Sequence, residues 1–344
     1  MNRKLFVISL SVILLVSANN IVFAAQEVDN KQIIIDGDKQ VVEESAEIKN
    51  INKNFKETKN KFIVTNKDIS IEIPKNSSNN VVLDSYEFED IEMSLPNSAL
   101  NVNAVMTRNG TIAYGNNKDD FIVTVQTLKQ NQDEIEDYAV RSMITIKNSN
   151  APKEYSFQFN YPKGYKLIKD NEFCSYQNEK AEGSVYIVND ENEIVNVIEP
   201  AWAIGADGNR VETYYVIDGN KLIQVVDFND DTVFPIVADP TSHPNRTKTY
   251  FLTKTQVKTI RDKYTNKNKY TIITGIATTL GLNGRVIAAW SVGMMLYEDY
   301  QYNKWNAWYN KMNKTSKLKV TVIERWRSGG KNSAYITDKI IFSL

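Results

Sequence analysis

One cysteine, one histidine and no unbroken apolar run of membrane-spanning length narrow what this chain of 344 residues can do. Cys174 has no second cysteine to pair with, so no disulfide forms within the chain; the ordinary reading is a small residue of a half-buried strand. His243 is equally alone, in the polar run ADPTSHPNRTK beside Pro244, which reads as a linker. An HExxH zinc site needs two histidines on one helical face and is excluded. Neither a GxSxG elbow nor a Walker-type phosphate loop occurs. A Ser/His/Asp or Cys/His site would have to take its histidine from the linker, which argues against it. With 42 acidic residues, carboxylate-pair catalysis survives the composition, but no pair stands out. The expectation is a protein without catalysis, metal or cofactor.

The longest apolar stretch, IITGIATTLGLNGRVIAAWSVGMMLY at 272–297, is interrupted by Gly281, Asn283, Gly284 and Arg285. The pieces 272–282 and 286–297 each fall short of the roughly 20 residues that a helical crossing requires. They read as a helical hairpin with Arg285 at its tip. Small residues at Gly275/Thr279 and Ala289/Gly293 allow close helix approach.

The N-terminus supplies a compartment. Arg3 and Lys4 precede the apolar run from Leu5 to Val16, and Val22-Phe23-Ala24 places small residues at a cleavage site. Residues 1–24 read as a secretory signal peptide cleaved after Ala24, so the protein is expected to be extracellular.

The near-neutral net charge of −1 hides a division. Residues 241–344 hold 18 Lys/Arg and 5 Asp/Glu, or +13; residues 25–240 hold 21 and 37, or −16; Arg3 and Lys4 add +2, which restores −1. Opposite charge in two halves points to different partners or to halves that bind each other. Residues 25–60 are polar and read as an arm. From 61 to 240 short period-two segments (KFIVTN, ISIEIP, VVLDSYEFEDIEMSL, DDFIVTVQTL, SMITIKN, YSFQFNYP, GSVYIVND, VETYYVIDG, KLIQVVDF) are bounded by turn residues, with DGN at 207–209 and 218–220 as tight turns. They predict an acidic, antiparallel, sandwich-like β domain with one helix near NQDEIEDYAVRS. Residues 241–250 follow as the linker. The remainder, 251–344, reads as a cationic helical domain closed by a β-hairpin. Thr253 and Gln256 form a capping-box pattern ahead of Val257, Ile260 and Tyr264, and a long helix is expected at 284–313. KLKVTVIERW and AYITDKIIFSL are the closing strands, with SGGKN between them. The fold class is therefore α+β.

Four of the five tryptophans, Trp290, Trp305, Trp308 and Trp326, lie in the cationic part, where they are candidate membrane-interface anchors. Lys304 and Lys311, with the neighbouring lysines, are candidate contacts to anionic lipid, each contributing about 1 kcal/mol near the surface. Together with Arg285 these residues describe a segment that binds anionic bacterial membranes. Export argues against nucleic acid. The acidic domain is expected to neutralise the tail in cis, and the stretch from Asp239 to Lys248 is expected to be the exposed processing site.

The run EPAWAIGADGNRVETYYVIDGNKLIQVVDFNDDTVFPIVADPT at 199–241 resembles a segment of secreted Gram-positive proteins that ends in Pro-(Ile/Val)-Val-Ala-Asp-Pro-Thr before a variable C-terminal domain. The layout is similar to that of large clostridial bacteriocin precursors of the closticin type. That resemblance implies a C-terminal part released as an antimicrobial protein, and with it a cognate immunity protein; it carries no site residues. The first functional expectation is a bacteriocin-like precursor whose tail permeabilises membranes. The second is a surface module that binds wall polymer or carbohydrate through Trp202, Tyr214 and Tyr215. A secreted carboxylate hydrolase is the weakest of the three.

Overall fold

A computed structural model describes residues 51–66, 69–85, 88–107, 109–115, 118–132, 135–173, 183–264, 269–279, 302–327 and 334–344. Ala24 and the signal segment, residues 25–50 of the arm, Cys174, Arg285, Trp290 and the SGGKN turn lie outside the described residues.

The strands in chain order begin with β1 (Lys56–Glu57), β2 (Lys61–Thr65), β3 (Ile69–Pro74), β4 (Val81–Ser85), β5 (Phe88–Met93), β6 (Val105–Met106) and β7 (Ile112–Tyr114). Next come β8 (Phe121–Gln132), β9 (Ile135–Ile146), β10 (Glu154–Asn160), β11 (Lys166–Lys169), β12 (Val185–Val188), β13 (Ile194–Ile198) and β14 (Trp202–Ile204). The series closes with β15 (Glu212–Asp218), β16 (Lys221–Asp227), β17 (Ile236–Asp239), β18 (Thr241–Pro244), β19 (Arg246–Thr253), β20 (Lys317–Arg327) and β21 (Ala334–Ser343). Helices α1 (Lys254–Lys263), α2 (Lys269–Thr279) and α3 (Tyr302–Lys311) fall between β19 and β20.

The fold is mostly antiparallel β. One sheet of eight strands runs β1-β2-β3-β4-β5-β10-β16-β15; a second of ten runs β11-β12-β13-β18-β9-β8-β7-β6, with β17 pairing β9 and β14. Period-two patterning decides which side chains enter the core. In β10, Tyr155, Phe157 and Phe159 point inward while Glu154 and Ser156 are exposed. Ile71, Ile73 and Phe157 of the first sheet share one apolar cluster with Val123, Val125 and Ile144 of the second, so the sheets stack as a sandwich. Each such side chain contributes about 1.5–3 kcal/mol on burial.

Local signals misread several elements. The helix expected near NQDEIEDYAVRS is strand: β9 pairs with β8 along its length, from Phe121↔Ile146 to Gln132↔Ile135, and that ladder overrides the acidic, helix-like local composition. VVLDSYEFEDIEMSL is two strands, β4 and β5, paired with each other. The end of the polar arm belongs to the fold. Ile51 is buried and bridges to Leu128, and β1 adds to the edge of the first sheet. IVNVI forms β13, which is buried at every position and so carries no period-two signal in the sequence.

The C-terminal part is not the helical domain expected. It is organised by a sheet, β19-β20-β21, with β20 in the centre and helices of ten, eleven and ten residues packed on one face. Leu252, Leu318, Val320 and Val322 meet Val257, Ile260, Ile272 and Trp305 there. The capping box at α1 is formed: Gln256 N donates to Thr253 Oγ1 (3.3 Å) and Thr253 N donates to Gln256 Oε1 (2.9 Å). At Gly275 of α2, an added Cβ would stand 3.0 Å from Lys263 Cδ, so the small residue lets α1 and α2 close on each other. Of the helix expected at 284–313, Tyr302–Lys311 falls among the described residues. No helix among them is long and apolar enough to cross a membrane.

Candidate functional site: a buried polar joint

Residues 239–248, from Asp239 to Lys248, expected above to be an exposed processing site overlapping the linker at 241–250, run through the middle of the structure. β17 and β18 lie along one side of β9, with Ser142 N donating to Pro240 O (3.0 Å) between them. On the other side the partner changes from β14 to β13. Pro240, which has no N–H for a ladder, occupies that step. At Asn245 the chain leaves the sandwich and becomes β19 of the C-terminal sheet. Asp239, Thr241, Ser242, His243, Asn245, Arg246, Thr247 and Lys248 are all buried. The correction has a physical reason: polar residues suggest exposure, whereas here Asp239, Thr241, Ser242, Asn245, Arg246 and Lys248 each pair with a buried group.

Two groups of side chains supply those partners. On the sandwich side, Arg141 Nε stands 2.9 Å from Asp239 Oδ2, which also accepts a hydrogen bond from Thr241 Oγ1 (2.6 Å). Tyr215 is buried and donates to Asp239 O (3.3 Å); burial, then the charges of Asp239 and Glu199, push its phenol far above its usual value. On the C-terminal side, Arg246 Nε (2.6 Å) and Lys248 Nζ (3.1 Å) converge on Glu324 Oε2, and Arg325 Nε pairs with Asp338 Oδ1 (3.0 Å). Arg246 Cζ lies 4.1 Å from the Tyr335 ring centre. Arg246 and Glu324 are also register partners in the β19–β20 ladder, so a one-residue slip would separate the pair.

His243 links the groups. Its ring stacks on Trp326 (4.2 Å between centres, 4° between planes), and its Nε2 stands 3.0 Å from Glu199 Oε1. The same oxygen accepts from Trp326 Nε1 (2.8 Å). Burial pushes the Glu199 carboxyl up, but His243, the Trp326 hydrogen bond and Arg141 outweigh it and hold the carboxyl below the usual range. Tyr335 OH donates to Pro244 O (3.1 Å), and Lys339 pairs with Glu193 across the same boundary. Val188, Ile194 and Val197 pack against Trp326 and Tyr335 around this polar centre. As chemistry the cluster is a fastening. His243 Nδ1 has no hydrogen-bond partner among the described residues, and Ser242 Oγ donates to Asn196 Oδ1 (2.8 Å), so histidine and hydroxyl do not form a nucleophile pair. No group of three or more His, Cys, Asp or Glu among the described residues is placed to hold a metal ion.

The expected membrane anchors are placed differently from one another. Trp326 is buried in the joint and Trp305 in the helix–sheet core, edge-on to Phe342 (5.6 Å). Neither ring is on the surface, because each fills a gap between elements that the sequence does not show as neighbours. Trp308 is half-buried and stacks on Phe342 (6.2 Å), with Lys311 Nζ 4.9 Å from its ring centre. Lys304 and Lys311 are exposed on α3. Among the candidate carbohydrate contacts, Trp202 is half-buried and Tyr215 belongs to the joint. Tyr214 is 50% exposed and lines a cleft of about 430 Å³ with Lys169, Asp170, Ser184 and Thr213.

Sequence reasoning missed Glu199 and Glu324, and placed Arg246 in an exposed processing site. The available signal was KLKVTVIERW, where charged residues continue an otherwise apolar strand and so demand buried partners of opposite sign. No family model matches the chain, and the search of curated proteins returned no match.

Proposed function

We propose that the chain is a secreted protein that binds an anionic bacterial membrane surface through its cationic C-terminal unit, with the acidic sandwich attached as a carrier. The observation that carries this reading is the buried joint. A chain whose residues 239–248 lie in two sheets and hold two buried ion-pair groups presents no cleavable linker there, so the cationic unit acts in place. The excess of +13 over residues 241–344 draws it to anionic surfaces, and Lys311, Lys314 and Lys317 are exposed. The test is co-sedimentation of the full secreted chain with phosphatidylglycerol-containing vesicles, alongside intact-mass measurement of the bound species. Binding of the intact chain, weakened by salt, is expected. Absence of binding at low salt would overturn the reading. Binding only by a fragment beginning near residue 245 would restore the released bacteriocin, its target-cell killing and its immunity protein.

A second reading, attachment to wall polymer or carbohydrate, is favoured by Tyr214 beside its polar cleft, because an exposed aromatic ring with neighbouring amide and hydroxyl groups suits a sugar face. Retention on purified cell wall that Tyr214→Ala abolishes would establish it.

A further inference from the structure

Among the described residues the helices cover one face of the C-terminal sheet; on the other face Thr247, Thr321 and Ile323 are buried toward the joint, and the end that holds Phe251 and Ile341 is exposed. Tyr250, Leu252, Leu318, Val320, Ile340 and Phe342 turn toward the helices. Period-two geometry sends Phe251, Lys317, Lys319 and Ile341 to the other side. The register places them together: Phe251 stands opposite Lys319, Thr253 opposite Lys317, and Ile341 opposite Thr321 one step along. This outer face is three strands wide, a patch on the order of 10 by 14 Å from strand and residue spacings. Phe251 is 59% exposed and Ile341 43%, and the chain end beside them, Leu344, is 58% exposed. Two large apolar side chains that leave 59% and 43% of their surface in water, on a sheet face that also carries lysines, suit a partner with both apolar and anionic groups.

We propose that this outer face, centred on Phe251, Lys319 and Ile341, is the surface through which the protein lies on an anionic phospholipid bilayer; the inference rests on the membrane-binding reading above and gives it a location. Charge complementarity selects the sign of the partner. Lys317 and Lys319 flank the apolar pair, and ammonium groups on long stems reach lipid phosphates while the stems stay along the apolar surface. The apolar side chains select the kind of partner. A soluble polyanion would satisfy the lysines and leave Phe251 and Ile341 in water, whereas the interfacial zone of a bilayer takes up both. A flat face suits a planar partner better than a concave site would. The helices lie on the opposite side of the sheet and the joint at its far end, so contact at this face requires neither to open.

The experiment uses the full secreted chain and vesicles of phosphatidylcholine with and without phosphatidylglycerol. Variants are Phe251→Thr, Ile341→Thr and the pair Lys317→Gln/Lys319→Gln. Threonine keeps strand preference, and wild-type thermal melts confirm that each variant folds. A comparison pair, Lys304→Gln/Lys311→Gln, removes equal charge from α3. The lysine pair on the sheet is expected to weaken partitioning about thirty-fold at low salt. That difference should shrink in high salt, whereas the loss of about tenfold from Phe251→Thr should persist because it is apolar. If the wild-type chain ignores anionic vesicles, the membrane-binding reading fails and this inference with it. If the wild type binds, but the sheet variants bind equally well and the α3 pair does not, the reading stands and the sheet face is wrong. If inorganic polyphosphate displaces the wild type from vesicles and binds Phe251→Thr undiminished, the occupant is a polyanion and the bilayer proposal is overturned.

Discussion

Between its two large sheets the chain buries Ile71, Ile73, Val123 and Phe157; at the joint it buries Arg141, Asp239, His243, Arg246 and Glu324. Both regions are removed from water, yet they are held differently. The sandwich interior gains free energy in proportion to apolar area, and one aliphatic side chain there can replace another at modest cost. The joint has to recover the desolvation of charged groups through specific partners, so it gains little net stability and tolerates little change. The lesson concerns selectivity: an apolar face would accept many partners, while the Glu324 pair and the Glu199–His243–Trp326 contact accept one arrangement of the C-terminal sheet on the sandwich.

The comparison can be broken most severely at Glu324. Glu324→Gln changes almost no volume but leaves Arg246 and Lys248 buried against a neutral amide. A loss of about 3–5 kcal/mol is expected in denaturant unfolding, with new protease cuts between 239 and 248 that the wild type resists. A wild-type melt would show that the pair is not buried in solution. Trp326→Phe comes next. It retains a ring to stack on His243 and removes the hydrogen bond to Glu199, a bond to a charged group, at about 2 kcal/mol. Ile71→Val in the sandwich removes a buried methyl group and should cost only about 1 kcal/mol. If that methyl proves costlier than the isosteric change at Glu324, the contrast between the regions is wrong.

The smallest expected effect is acid sensitivity. Glu199 and Glu193 both have carboxyls held below their ordinary value of 4.5, against opposing burial, by His243 and Trp326 and by Lys339 and Asn189 respectively. A group with a depressed folded value contributes stability that is present above its unfolded value and disappears as pH falls through the folded one. Protection factors for hydrogen exchange at residues 241–248, corrected for the slower intrinsic exchange in acid, should therefore fall below about pH 4.5 while those of β3 and β10 hold. Glu199→Gln should remove part of that response; an unchanged pH profile would dissociate Glu199 from the joint.

What could be read in the chain and what could not divides along the same line. β10, β15 and β16 alternate apolar and polar residues because one face is wet, and the turn at 218–220 carries Gly219 at φ +59, a conformation suited to glycine. The capping box of α1 was equally legible, because its two residues are three apart and need no distant partner. Those features are local, and local pattern determines them. Where the contact is distant, pattern failed. β9 looked helical until β8 paired with it, Trp305 and Trp326 looked like surface anchors until sheets closed over them, and 239–248 looked like a linker. Arg246 is separated from Glu324 by 78 residues, and Glu199 from Trp326 by 127. The sequence by itself determined the alternating strands such as β10, β15 and β16, their inward faces and the opposite charges of the two halves. Only the tertiary structure decided that the polar segment between those halves is buried, because burial of a charge depends on a partner that folding alone brings within hydrogen-bond reach.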